Sequence, residues 1–98
     1  MTGRWRVEIH PEVARDLSSI PRNLAERILK AIEHRLSSAP DQYGERLRKS
    51  LRGYWKLRVG DYRVVYEIVG AEVRVHGVMD RREVYGQIAR RLNAHPKG

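Results

Sequence analysis

Trp55-Lys56-Leu57-Arg58-Val59-Gly60-Asp61-Tyr62-Arg63-Val64-Val65-Tyr66 is the stretch that decides the fold. Trp55, Leu57 and Val59 alternate with Lys56 and Arg58, and Tyr54 leads in on the polar phase. Beyond Gly60-Asp61, Tyr62, Val64 and Tyr66 alternate with Arg63, Val65 and Glu67. A period of two on both sides of a two-residue loop predicts a β-hairpin with one buried face. A loop that begins with Gly suits a type II′ turn. With Gly60 and Asp61 as the loop, Val59 faces Tyr62, Leu57 faces Val64 and Trp55 faces Tyr66. On the other face Arg58 then lies opposite Arg63, and Lys56 lies beside Val65. Like charges directly opposite in a sheet are destabilising. Either these long cations splay into water, or an anionic ligand relieves their repulsion.

Downstream, Gly70-Ala71 forms the next turn and Glu72 to Met79 the next strand. Val73, Val75 and Met79 alternate with Glu72, Arg74 and His76, while Gly77 interrupts the apolar set. An uninterrupted register pairs Ile68 with Val73, Tyr66 with Val75, Val64 with Gly77 and Tyr62 with Met79. Glu67 then faces Arg74 as a weak ion pair. Glycine inside a strand marks a close approach or a bulge. Asp80 is a good helix N-cap, and Glu83 three residues later resembles a capping box. Val84, Ile88 and Leu92 give the last helix its apolar stripe, and residues 93–98 are expected to fray as a basic tail.

Upstream, Arg4 to Ile9 alternate as a first strand. His10-Pro11-Glu12 opens a short helix with Pro at its first position, carrying Val13, Leu17 and Ile20. Pro21 opens a longer helix in which Leu24, Ile28, Ile32 and Leu36 recur every four residues, and Ser37-Ser38-Ala39-Pro40 ends it. His10 reads as a structural or capping residue and His34 as a surface one. Asp41 to Arg52 has no clean period. It reads as a basic connector anchored by Leu47 and Leu51, with Arg46, Arg48, Lys49 and Arg52 extending the positive sheet face. The expected fold is therefore α+β: an N-terminal strand, a helical hairpin, an antiparallel three-strand meander and a C-terminal helix. Residues 1–98 are expected to form one domain.

Lys and Arg number 20 against 12 acids, a net charge of +8, which favours phosphate-rich or acidic protein partners. The hydrophobic content of 41% is enough for a modest core. The absence of cysteine removes disulfides and thiolate metal sites. No apolar run approaches a membrane span, and no signal-peptide core follows the N-terminus, so the cytoplasm is the expected location. Phosphate loops, dinucleotide fingerprints, metal-binding His spacings and a serine elbow are all missing. A cluster of Lys, Arg and Tyr on one sheet face remains. It can bind phosphates, or it can act on RNA, which carries its own nucleophile in the ribose 2′-hydroxyl. Guanidinium groups match phosphate oxygens bidentately. A lysine, with an ordinary pKa of about 10.4, needs neighbouring cations and partial burial to serve as a base at neutral pH. Lys56 has Arg58 and Arg63 as such neighbours. Tyr54 or Tyr85 can stack on a splayed base.

The run from Leu51 to Tyr66, followed by Arg81-Arg82-Glu83-Val84-Tyr85, closely resembles the RelE/ParE superfamily of toxin–antitoxin toxins. Pro11-Glu12-Val13-Ala14-Arg15-Asp16-Leu17 and the Pro-bounded second helix also resemble it, so the likeness spans roughly residues 4 to 92. The resemblance implies a compact α+β toxin. Its RelE-type members enter the ribosomal A site and cleave mRNA without a metal or other cofactor, leaving a 2′,3′-cyclic phosphate and a 5′-hydroxyl. By that similarity Lys56 is the general-base candidate, Arg63 the phosphate clamp, Arg81 an acid or second clamp, Arg58 a charge stabiliser and Tyr85 the residue that orients or stacks the nucleotide. Arg46, Arg48, Lys49, Arg52 and Tyr54 are the candidate RNA-binding set. Some cousins use a carboxylate base at a position aligning with Glu45. Many relatives have His where this chain has Asp80, and some have a second Lys in place of Arg58. ParE-type members share the scaffold but inhibit DNA gyrase, and an inactive RNA-binding relative is a third reading. A small acidic antitoxin, the ribosome and mRNA are the implied partners. The free toxin is expected to be monomeric, with higher assemblies formed through the antitoxin.

Overall fold

The computed structural model describes residues 5–94. The chain runs β1 (Arg6–Ile9), α1 (Pro11–Ser18), α2 (Arg22–Ala31), α3 (Pro40–Tyr43), β2 (Glu45–Arg46), β3 (Trp55–Val59), β4 (Tyr62–Val69), β5 (Glu72–Asp80) and α4 (Val84–Ala94). The strands form one mixed sheet in the order β1-β5-β4-β3-β2. This is the expected α+β class with two additions. The connector contributes a two-residue edge strand, β2, and a one-turn helix, α3. β1 joins the sheet beside β5 and runs parallel to it, with Ile9 against Val75. Arg4 and residues 95–98 lie outside the described residues. α4 continues to Ala94, past the point where fraying was expected. Among the described residues no helix is long and apolar enough to cross a membrane.

The β3–β4 hairpin has the register its sequence predicts, from Trp55–Tyr66 to Val59–Tyr62, with Arg58 opposite Arg63. Gly60 has φ +60° and Gly70 φ +61°, while Asp61 and Ala71 keep negative φ, as type II′ loops require. α1 and α2 pack on the face made by Leu57, Val59, Val64, Tyr66, Val73, Val75 and Val78. α4 and the connector cover part of the opposite face. There Leu47, Leu51, Val65, Met79, Val84 and Ile88 form a second buried cluster.

The four-residue spacing of Leu24, Ile28, Ile32 and Leu36 has a structural cause. In an α-helix each step of four turns about 40° past the starting direction. A π-helical turn at Ile32–Leu36 absorbs that drift, and Ile28, Ile32 and Leu36 are all buried. His10 caps α1, its Nδ1 accepting from Glu12 N at 3.0 Å. His34 is exposed in the π-turn.

β5 departs from the expected register. Ile68–Val73, Glu67–Arg74 and Tyr66–Val75 pair as predicted, but a bulge follows and Val65 faces Gly77, Val64 faces Val78 and Tyr62 faces Asp80. His76 is the extra residue. The bulge moves Val78 onto the helix-covered face and Met79 onto the α4 face. It also leaves backbone groups of β5 beyond the end of β1 needing partners. Asp16 of α1 accepts from Val78 N at 2.9 Å through Oδ2. Arg91 of α4 donates from Nη1 to His76 O at 3.0 Å. The two side chains bind each other bidentately, Nη1 to Oδ2 at 2.9 Å and Nη2 to Oδ1 at 3.0 Å. Glu12 lies 3.3 Å from Arg91 Nε. The hydrogen bond to Asp16 holds the Arg91 pKa above its ordinary value. Gly77 lets Arg91 cross the strand closely: a Cβ there would push aside the Arg91 guanidinium and the Met79 methyl. The expected Glu67–Arg74 ion pair gives way to Arg74–Glu72 at 3.2 Å and Glu67–His76 at 3.1 Å. The turn after β5 also differs from the expected cap. Asp80 Oδ1 accepts from Arg82 N, but α4 begins only at Val84.

Asp16→Ala is expected to cost about 2–4 kcal/mol of folding stability, since it leaves Val78 N–H unpaired and the Arg91 charge half-buried without its main partner. Urea unfolding at neutral pH measures it. Arg91→Lys, which keeps the charge but loses the bidentate fork, should fall between the wild type and Asp16→Ala.

Candidate nucleic-acid interface

Strand alternation builds the site. Lys56 and Arg58 of β3 point away from α1 and α2, as does Arg63 of β4. With Tyr43 and Glu45 they line an open recess of about 290 Å³. Glu45 stands beside Lys56 across the β2–β3 pair. Among the described residues neither Lys56, Arg58 nor Glu45 has an ion pair or side-chain hydrogen bond. Arg63 is held differently. Its Nη1 donates to Gly60 O at 3.0 Å and to Tyr62 O at 2.9 Å, so the guanidinium is steered by the carbonyls of its own hairpin turn. Its Nε and Nη2 are left for a ligand, in the fork geometry that suits a phosphate.

The other rim of the recess is anchored from the core. Tyr66 is fully buried and donates from its hydroxyl to Pro40 O at 2.6 Å. Burial, and secondarily the charge of Asp41, pushes the Tyr66 hydroxyl pKa well above its usual value, which keeps it a donor. Gly44 packs directly on that hydroxyl, where any Cβ would overlap it. Tyr43 and Glu45, the residues on either side of Gly44, are thereby fixed at the recess.

The remaining sequence candidates are distributed unevenly. Arg81 lies at the hairpin-turn end of the sheet. Its N–H donates to Asp61 O at 2.9 Å and its Nε lies 4.0 Å from Asp61 Oδ1. Tyr85, 44% exposed, stands in the first turn of α4. Neither lines the recess. Asp80 is engaged by Arg82 Nε at 3.0 Å. Hydrogen bonds from Arg82 lower its pKa.

No cation of the connector is among the residues that line the recess. Arg46 sits over the Trp55 ring at 4.9 Å, and Trp55 belongs to the opposite face of the sheet. Arg48, Lys49 and Arg52 are exposed around a 3₁₀ turn at Lys49–Leu51, where Lys49 has φ +58°. Tyr54 packs into the cluster under α4 and meets the His76 ring edge-on at 5.5 Å. Tyr43 is the recess residue that sequence reading missed. The connector has no period to mark which of its side chains turn inward. Among the described residues, no group of three or more His, Asp or Glu side chains is placed to hold a metal ion.

A family model described as the ParE toxin of a type II toxin–antitoxin system, parDE, matches residues 7–85. The chain belongs to the RelE/ParE toxin family. Within that family it is similar to Toxin RelE of Mycobacterium tuberculosis (strain ATCC 25618 / H37Rv), with 37% identity over 71 residues, 72% of this chain and 73% of that protein. Its fold is similar to the toxin–antitoxin complex RelBE2 of Mycobacterium tuberculosis, with a TM-score of 0.75 and 27% identity over 81% of this chain and 93% of that one. The ParDE system of P. aeruginosa, at 13% identity over 79% of this chain and 96% of that one, shares the fold with a TM-score of 0.64. The chain is thus a toxin of a type II toxin–antitoxin system, and the α+β architecture expected from its hairpin is the architecture of its relatives.

Two measurements check the site's construction. Arg58→Glu places opposite charges across from each other and should raise stability by up to about 1 kcal/mol while weakening the binding of polyanions. A thermal melt and a heparin-column elution profile read the two effects in opposite directions. Tyr66→Phe keeps the ring but leaves the Pro40 carbonyl without its partner. A loss of about 1–2 kcal/mol in chemical unfolding is expected.

Proposed function

We propose that this toxin is a ribosome-dependent mRNA endonuclease that arrests translation in the cytoplasm. The observation that carries the reading is the convergence of Lys56, Arg58 and Arg63 on one recess, with Lys56 and Arg58 free of side-chain partners. The similarity to a protein named RelE supports it. In the proposed reaction Lys56, in its neutral form, takes the proton from a ribose 2′-hydroxyl. The 2′-oxygen attacks the adjacent phosphorus, the bond from phosphorus to the 5′-oxygen breaks, and the leaving oxygen gains a proton. The products are a 2′,3′-cyclic phosphate and a 5′-hydroxyl. Arg63 clamps the non-bridging oxygens and Arg58 offsets the added negative charge. Arg81, tethered to the hairpin turn, supplies a second clamp or the proton for the leaving group. Tyr85 orients the nucleotide from α4. Glu45 is a second candidate base, beside Lys56. The nucleophile belongs to the substrate, so the protein's task is alignment, proton transfer and charge stabilisation.

A small acidic antitoxin is the proposed neutralising partner. Relatives were solved as toxin–antitoxin complexes, and the +8 net charge suits an acidic binder. The free toxin is proposed to be a monomer. The match to a ParE model keeps a gyrase-directed reading in play. It is separable by assay.

Arg63→Ala combined with Arg81→Ala should reduce cleavage of translating mRNA at least about 100-fold and relieve growth arrest. Primer extension on mRNA from cells expressing each form reads cleavage directly. Intact mRNA with the wild-type toxin, together with inhibited supercoiling by purified gyrase, would transfer the assignment to the ParE-type activity.

A further inference from the structure

The recess has an aromatic wall that the cation pattern does not predict. Tyr43 is 54% exposed, belongs to neither buried cluster, and lines the recess together with Lys56, Arg58 and Arg63. The core therefore does not require its ring. Its position is nevertheless set by its surroundings. The Arg35 guanidinium lies 5.7 Å from its centroid, and the backbone beside it is pinned by Gly44 against Tyr66 and by the Tyr66–Pro40 hydrogen bond. The other tyrosines are placed differently. Tyr54 and Tyr66 are packed inside, Tyr62 lies on the helix-covered face, and Tyr85 stands on α4 outside the recess. An exposed ring on an anchored backbone beside three cations is what a stacked base next to a bound phosphate requires. The anchored backbone beside it fixes where the ring starts from, which lowers the cost of placing it against a base.

We propose that Tyr43 is the base-stacking residue of the recess, and that the recess takes a single-stranded nucleotide unit with its phosphate on Lys56, Arg58 and Arg63 and its base against the Tyr43 ring. This rests on the phosphodiester reading above in taking the bound anion to be a nucleic-acid phosphate. Tyr43 is a positioning residue. Its contribution depends on the presence of a base and not on the charge of the ligand. Glu45, on the same rim, disfavours a second phosphate there and leaves the base as the better occupant of that side.

The test uses the full chain and two short oligomers of equal charge. One is a 2′-O-methyl RNA tetramer, whose capped 2′-oxygens prevent cleavage, and the other is the same backbone without bases. The wild type should bind the base-bearing oligomer about 10-fold more tightly than the abasic one. Tyr43→Ala should erase that difference and Tyr43→Phe should keep it, with thermal melts of both variants close to the wild type. Arg58→Ala plus Arg63→Ala should weaken both oligomers equally and preserve the ratio. A preference that survives Tyr43→Ala, or one that is lost on Tyr85→Ala instead, overturns the inference while leaving the phosphate site standing. Failure of the wild type to bind either oligomer, or binding indifferent to the double arginine exchange, overturns the recess as a nucleic-acid site and the inference with it.

Discussion

A single extra residue in β5 governs how the two sides of this molecule fit together. The bulge at His76 changes which side chains of β5 meet α1 and α2 and which meet α4. It also creates the polar vacancies that Asp16 and Arg91 fill from opposite layers. The pair is satisfied on nearly every polar atom, the condition under which a half-buried ion pair holds its elements in place and does not simply cost desolvation. The shifted register has a further effect. It brings Asp80 opposite Tyr62, and so lets the Arg81 N–H reach Asp61 O at the hairpin turn. Arg81, the first residue after β5, is thus positioned by a distortion five residues before it, at His76.

The basic face shows the opposite balance. Arg58 opposite Arg63 is a stability penalty that packing does not offset, and the structure manages it locally by folding the Arg63 guanidinium back onto turn carbonyls. A recess that repels its own lining favours an anionic occupant. The sheet is paired and buried along its other face, and that burial lets it carry the strain without rearranging.

Regular features were the legible ones. Two loops of two residues, each opened by Gly, fixed the hairpin register because any slip would turn Leu57 and Val64 to the wrong face. The capping role of His10 and the exposed position of His34 followed from Pro11 and from the helical stripe. Gly77 announced either a close approach or a bulge, and it is both: the bulge lies next to it and Arg91 crosses it. The direction of the resulting register shift depends on Asp16 and Arg91, which are far away in the chain and carry no local signal. Alternation also placed Lys56, Arg58 and Arg63 together. It could not place Tyr43 or Arg46, because a two-residue strand and a one-turn helix are too short to show a period. Arg46, a cation like its neighbours in sequence, pairs with Trp55 and so lies on the opposite side of the sheet. The four-residue stripe of α2 did carry a trace of the π-turn, since an α-helix cannot keep that spacing on one face for long.

The Asp16–Arg91 link joins residues 75 positions apart in a chain of 98. The edge of β5 beyond β1 and the apolar cluster under α4 are thus closed from two elements at opposite ends of the described fold. Contacts this distant in sequence also form late in folding, because the loop between them must close first. A chain cut between β5 and α4 would therefore keep the basic hairpin but lose the clasp that finishes the sheet.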